Sequence, residues 1–290
     1  MKTPESKEHK KTNDYDYRIV EYEKLYKIPE ENLNYFIDII GPQPDDEILD
    51  LMGGYGSISK RILKRNPNIK ITLLDKSEKQ LKLAEKEGIE TTIKGDALST
   101  PFKDNTFTKV IIKQGIHEIP KEKQVKLFQE CFRILKPEGK LFIWNAVAPK
   151  ELEEVFREFI KEKDKLAGYL ELAEKRYFPT KDEIIKLLEE SNFEILEEKD
   201  VERTLSLSQL KDDLISKERL EGKSDKEIEK IVNEKIDKLK EFAKVLVERT
   251  PSDKIKTLKE KLKYEETPEG DIRVNYYEVM IVAKKKSPAP

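Results

Sequence analysis

The sequence predicts a doubly wound α/β fold, a parallel sheet covered by helices on both faces, with helical additions around it. Three observations carry this. Between residues 47 and 146, short apolar runs alternate with amphipathic helical segments, the pattern of successive strand–helix–strand units. Runs such as ITLL and VII are apolar without interruption, as strands buried on both faces must be. Gly53, Gly54 and Gly56, three of only eleven glycines, stand between the first run and the first helical pattern. Glycine costs backbone entropy inside regular structure, so a cluster marks a place where the backbone does something unusual.

The elements follow in order. The polar start, 1–14, reads as a disordered tail. From Tyr15 to Ile40 apolar residues recur at helical spacing, and Pro29 divides the stretch into two helices. The stretch 15–45 is therefore expected to form an N-terminal helical cap. EILDL (47–51) is the first strand, followed by a helix through Ile62 and Leu63, and IKITLLD (69–75) is the second strand. SEKQLKLAEKEG (77–88) is a helix with Ser77 as its cap and Gly88 at its end. IETTIKGD (89–96) and FTKVIIKQ (107–114) are the third and fourth strands. KEKQVKLFQECFRIL (121–135) carries Val125, Phe128, Cys131, Phe132 and Leu135 on one helical face; KPEGK then turns the chain into LFIWNA (141–146), the fifth strand.

Beyond Val147 the character changes. Residues 150–176 form one or two charged amphipathic helices, and 179–193 a helix opened by a capping box, Thr180 to Glu183. FEILEEKDV (193–201) reads as a strand, and the next sixty or so residues are helical. Within them 224–247 has its own box, Ser224 to Glu227, and an apolar stripe at Ile228, Ile231, Val232, Ile236, Leu239, Phe242 and Leu246. IRVNYYEVMIVAKK (272–285) is the longest strand signal, and 286–290 is a tail. The expected division is a core of 46–206 and 266–285, interrupted by a helical insertion at 207–265. That insertion is expected to be a lid over a site or a seam between two copies of the chain.

Composition excludes several functions. Charged residues make up 40% of the 290, yet the formal net charge is −2, which argues against binding nucleic acid through a basic surface. Lys and Glu abound while Cys and Met are few, as in heat-adapted proteins. Cys131 has no partner, so neither a disulfide framework nor a cysteine metal site is expected, and it reads as a core thiol. No apolar run approaches the length of about 18 residues that a membrane span needs, and a cytoplasmic protein without bound metal is expected.

Glycines between a strand and a helix let the backbone approach a ligand while helix-start N–H groups face it. Nucleotides, dinucleotides and other cofactors all use such turns. Asp75 ends the second strand, where a carboxylate can accept two ribose hydroxyls; Asp96 lies in GDA at the end of the third. The carboxyl ends of the first four strands line one crevice, so Gly53–Gly56, Asp75, Asp96 and Gln114–Glu118 are expected to converge. His117, one of two histidines, falls in that crevice as a general base or as a structural hydrogen-bonding group. Tyr55 is placed to cover a ligand. Trp144 and Asn145 face either substrate or core.

EILDLMGGYGSIS, ITLLDKSEKQLKLA, GDALSTPFKDNTFTKV, IHEI and RILKPEGKLFI follow one another. In that order, over 47–146, the chain resembles class I S-adenosylmethionine-dependent methyltransferases. TPFKDNTF, IHEI and ILKPEGKLFI are not shared by dinucleotide-binding dehydrogenases. The resemblance implies a Rossmann-like, mostly parallel seven-stranded sheet of order 3-2-1-4-5-7-6, the last strand antiparallel. It implies S-adenosyl-L-methionine as cofactor, with Asp50, Gly53, Gly54 and Gly56 at its methionine end. Asp75, with Lys76 beside it, would meet the ribose, Asp96 and Ala97 the adenine, and Lys113, Gln114 and Gly115 the region of the sulfonium. His117 and Tyr55 are the catalytic candidates. It implies in-line methyl transfer to a small-molecule acceptor, with specificity in 1–45, 148–178 and 207–265. The alternatives are an enzyme moving another group from the same cofactor and a non-catalytic binding protein on the same fold. One departure stands out: the family usually has Gly where Met52 stands, and Ala or Cys where Gly53 stands.

Overall fold

A computed structural model describes residues 28–287, with the backbone alone for 216–220. The expected N-terminal tail, the first expected helix of 15–45 and residues 288–290 lie outside the described residues. The fold is a doubly wound α/β sheet. Strands β1 (Glu47–Leu51), β2 (Lys70–Asp75), β3 (Thr91–Lys94), β4 (Phe107–Lys113) and β5 (Leu135–Ala146) run parallel. The long strands β6 (Phe193–Ser206) and β8 (Ile272–Lys285) are antiparallel, and the two-residue β7 (Glu265–Glu266) pairs with the start of β8. The order is β3-β2-β1-β4-β5-β8-β6; with β7 set aside, this is the order expected.

The pleat sorts the apolar strand residues between two cores. Ile48, Ile111, Phe142, Trp144, Met280 and Val282 face one way, while their neighbours Leu49, Val110, Leu141, Ile143, Ile281 and Ala283 face the other. The first face is covered by α1 (Glu30–Ile40), α2 (Ser57–Arg65), α5 (Glu153–Leu166) and α6 (Leu170–Lys175). The second is covered by α4 (Gln124–Ile134) and α7 (Lys181–Glu190). Helix α3 (Glu78–Lys86) closes a smaller cluster around Leu73, Leu81 and Ile89. Cys131 is a fully buried core thiol, and burial pushes its titration far above the usual range.

Strand β5 starts earlier than expected. Phe107 pairs with Leu135 but Lys109 pairs with Lys140, so Lys136–Gly139 bulge out within the strand rather than turning before it. Glu138 takes φ +61°, and a Cβ on Gly139 would stand 2.8 Å from the Lys136 carbonyl oxygen. The KPEGK signal is thus a bulge residing in the ladder. Strand β6 likewise runs on to Ser206, because β8 continues to offer it a partner as far as Arg273.

The insertion comprises α8 (Lys211–Leu220), α9 (Asp225–Arg249) and α10 (Ser252–Lys261). Its stripe is buried within the chain itself. Ile228, Val232, Ile236, Leu239 and Ala243 join Phe156 and Ile160 of α5, Leu205 of β6 and Tyr276 of β8 in one cluster. Those side chains are covered within one copy of the chain, while Ile231 and Phe242 of the stripe are half-buried. Val245 is the exposed large apolar side chain of the insertion among the described residues. No helix among the described residues is long and apolar enough to cross a membrane.

Candidate active site

A cavity of about 370 Å³ lies at the carboxyl ends of β1 to β4, where the strand order reverses. The loop after β1 forms one wall. Met52 takes φ +61°, Gly54 +55° and Gly56 +77°, so the chain passes through left-handed backbone three times in five residues. A Cβ on Gly53 would stand 2.6 Å from the Asp50 carboxyl carbon, so only glycine lets the loop lie this close to β1. Met52 packs on the opposite wall. A Cβ on Gly115 would stand 2.9 Å from the Met52 sulfur, so the space Met52 fills is space that Gly115 leaves.

Beneath this loop Asp50 is buried, and Ser59 Oγ donates to it at 2.6 Å. Burial pushes its carboxyl up to about 6, against the Ser59 hydrogen bonds and the Lys113 charge. Asp75 ends β2 and accepts from the backbone N–H of Gly54 at 2.9 Å and of Ser77 at 2.8 Å. Burial raises its carboxyl above the usual range despite those donors. The backbone N–H of Lys76 is a third donor to this carboxylate. Asp96 pairs with Lys76 at 3.0 Å and accepts from Leu98 N–H at 2.9 Å. Burial opposes its ionisation, but Leu98 and Lys76 outweigh it, and the carboxyl titrates below the usual range.

The turn after β4 forms the far wall. Gln114 has φ +58°, and its amide is committed to buried partners: Nε2 donates to Glu278 at 2.8 Å and Oε1 accepts from Ala146 N–H at 3.0 Å. Trp144 Nε1 also donates to Glu278, at 2.7 Å, and Arg203 pairs with it at 2.5 Å. Trp144 therefore faces the core, and Asn145, fully buried, accepts from Ile116 N–H at 3.1 Å. His117 is 2% exposed and stacks on Phe178 with ring centroids 4.4 Å apart. Its Nδ1 lies 3.3 Å from Asn145 Oδ1 and its Nε2 3.3 Å from Glu118 Oε1. Both ring nitrogens thus face oxygen acceptors. Lys175, at the end of α6, and Asp213, from α8, complete the lining.

Residues 48–139 match the model of the methyltransferase domain family. The chain is 31% identical over 177 residues to the ubiquinone/menaquinone biosynthesis C-methyltransferase UbiE of Roseobacter denitrificans, spanning 54% of this chain and 70% of that one. The chain belongs to the class I S-adenosylmethionine-dependent methyltransferases. A Ruegeria UbiE is 37% identical over 114 residues, 37% of this chain and 45% of its own length, so the alignment spans less than half of that relative. The demethylmenaquinone methyltransferase of Thermotoga maritima is 28% identical over 55% of this chain and 75% of its own. Among solved structures, the YcgJ protein of Bacillus subtilis superposes with a TM-score of 0.63 at 15% identity, over 90% of this chain and all of that one. That likeness is one of fold.

The family's cofactor is S-adenosylmethionine, and the residues of this family member suit it. Carboxylates at the ends of β2 and β3 offer acceptors for hydroxyls and an amine, and the backbone of Gly53 and Gly54 lines the cavity, with no room for a side chain on Gly53 beside Asp50. Of the positions expected from sequence, Gly53, Gly54, Tyr55, Asp75, Lys76, Asp96, Ala97, Lys113, Gln114, Gly115 and His117 line one cavity. Asp50 and Gly56 do not. Asp50 sits under the loop, and Gly56 starts α2, where a Cβ would meet Leu73 at 2.9 Å. Lys175 and Asp213 escaped sequence reasoning. Each stands in a charged helical stretch with no local signal, and only packing brings them to the site. Among the described residues no cluster of His, Cys, Asp and Glu could hold a metal ion.

Proposed function

We propose that the protein transfers the methyl group of S-adenosylmethionine, in line, to a small polar acceptor. The observation that carries this reading is the single cavity in which the glycine loop, Asp75, Asp96 and the post-β4 turn meet residues of the added helices. When bound, the cofactor supplies a methyl group already activated on a sulfonium, so the protein's part is to position and to exclude water. Asp75 would take the ribose hydroxyls, Asp96 the adenine amine, and the backbone of Gly53, Gly54 and Gln114 the methionine end. Asp50 and Gly56 would act by shaping the loop. At the other end His117, Glu118, Lys175 and Asp213 wall the place left for an acceptor. The relatives are named for methyl transfer to carbon in ubiquinone and menaquinone biosynthesis; the charged wall here supports a more polar acceptor. The two acceptors flanking His117 support a positioning role for its ring over that of a general base, and Tyr55 would cover the cofactor.

Isothermal titration with S-adenosylmethionine and S-adenosylhomocysteine tests the reading. Binding in the micromolar range is expected, with a stabilisation of about 2.7 kcal/mol at a ligand concentration of about a hundred times Kd. NADH is expected not to bind; the reverse result would overturn the assignment. Mass spectrometry of acceptors incubated with the cofactor separates transfer of methyl from transfer of another group.

A further inference from the structure

A chain of buried charges leaves the cavity at one wall and returns to it at another. It begins at Glu118, whose Oε1 accepts from Arg176 NH2 at 2.9 Å. Arg176 NH1 donates to Asp164 Oδ2 at 2.7 Å. Asp164 Oδ1 lies 3.0 Å from Lys163 Nζ, and Lys163 pairs with Asp213. Glu118 and Asp213 both line the cavity. The five side chains are each less than a tenth exposed, and they come from four separate places: the post-β4 turn, α5, the end of α6, and α8. On its dry side Lys163 abuts a small apolar cavity of about 60 Å³ among residues that include Phe156, Leu210 and Tyr276.

Such a chain is a poor device for stability, because desolvating each charge offsets most of the attraction gained. Replacing a buried pair with apolar groups is often neutral, whereas removing one partner alone is costly. What it imposes is register: each charge is tolerable only while its neighbour is in place. We propose that this chain is the positioning element that registers α8, and with it the helical insertion, on the acceptor end of the cavity, so that filling the cavity and docking α8 are coupled. The proposal rests on reading the cavity as the S-adenosylmethionine site. Both ends of the chain, the His117–Glu118 wall and Asp213, line the same cavity as Asp75 and Asp96, so a ligand that fills the cavity acts differently on the docked and undocked states.

Hydrogen exchange by mass spectrometry on the full chain, with and without S-adenosylhomocysteine, tests this, with binding measured separately by calorimetry. In the wild type the ligand is expected to slow exchange across 211–220 by roughly tenfold, a usual size for coupling between sites. In Lys163→Met/Asp213→Leu, which removes the pair between α5 and α8 and leaves Asp164 on Arg176, the ligand at saturating concentration should change exchange there less than about twofold. Ile236→Ala, which loosens the insertion without touching the chain, should exchange faster throughout yet keep the ligand-dependent slowing. If the double variant does not fold, Asp213→Asn carries the same comparison. Ligand-dependent slowing that persists in the variant, or binding without slowing in the wild type, overturns the proposal. Failure of S-adenosylhomocysteine to bind the wild type overturns the reading of the cavity, and this proposal with it.

Discussion

Met52 holds a left-handed backbone, φ +61°, at a position where its family usually has glycine. The strain of that conformation in an L-residue is about 1–2 kcal/mol, and the Met52 side chain packs into the space beside Gly115. The two positions are therefore coupled. Gly115 itself has an ordinary negative φ of −105°, so Gly115→Ala tests the contact alone: its Cβ would meet the Met52 sulfur at 2.9 Å and Ile112 at 3.0 Å. A loss of about 1–3 kcal/mol is expected from overpacking, measured by urea denaturation. Most of it should be regained in the Met52→Gly background, and additive losses would show the contact to be unimportant. Asp50 makes a pH-dependent contribution. Its folded carboxyl titrates near 6, above the 3.8 of an aspartate in water. Between those values the folded state binds the proton more tightly, so the stability this group lends is present below about 3.8 and lost as pH rises through about 6. Asp50→Asn keeps an acceptor for Ser59 and removes the buried charge. Relative to wild type it should gain about 2–3 kcal/mol between pH 4 and pH 7, because the folded and unfolded carboxyls lose their protons about two pH units apart, each worth about 1.4 kcal/mol. A pH-independent difference between the two proteins would contradict this.

At the scale of elements, caps and pairing partners set the boundaries. In α7 the Thr180 hydroxyl accepts from Glu183 N–H at 3.1 Å, and Glu183 Oε2 accepts from Thr180 N–H at 2.9 Å. Glu183 also accepts from Tyr177 at 2.7 Å and pairs with Arg157 at 3.1 Å, so the box is anchored to the chain that leads into it. Thr180→Ala should cost about 1 kcal/mol, read as a lower denaturation midpoint. No residue of α7 lines the cavity, so affinity for S-adenosylhomocysteine should not change. A larger loss accompanied by weaker binding would mean that α7 helps to hold the site. Strand β8 presents its two edges to β5 and β6, joining the antiparallel pair to the parallel sheet. Glu278 of β8 thereby comes to hold Trp144 of β5, Arg203 of β6 and the Gln114 amide in one buried knot.

For the whole molecule the decisive feature is that the insertion shares a core with the sheet. Helix α9 shields Phe156, Ile160 and Tyr276, and Leu239 at its centre is fully buried. Replacing 207–265 with a short Gly/Ser linker would expose that cluster. The truncated chain is therefore expected to aggregate or unfold rather than persist as a folded cofactor-binding core, as size-exclusion chromatography and circular dichroism would show. A soluble, cooperative truncated protein would mean that the insertion is a separable unit.

The sequence by itself determined the features that depend on near neighbours. The pleat alternation, the capping boxes at Thr180 and Ser224, and the left-handed glycine turn are all set within a few residues, because hydrogen bonds and φ preferences act over that range. The strand-end carboxylates Asp75 and Asp96 were legible for a related reason: once the strands are parallel and adjacent, their carboxyl ends must meet. Tertiary structure decided the rest. It set Asp50 beneath the loop rather than at the cavity surface, pinned the His117 ring between Phe178, Asn145 and Glu118, and turned the stripe of α9 inward. It also brought Lys175 and Asp213 to a cavity whose other residues lie far away in the chain. Those outcomes depend on which apolar faces cover one another and which buried charges find partners, and such choices are made between segments dozens of residues apart, where local spacing carries no information.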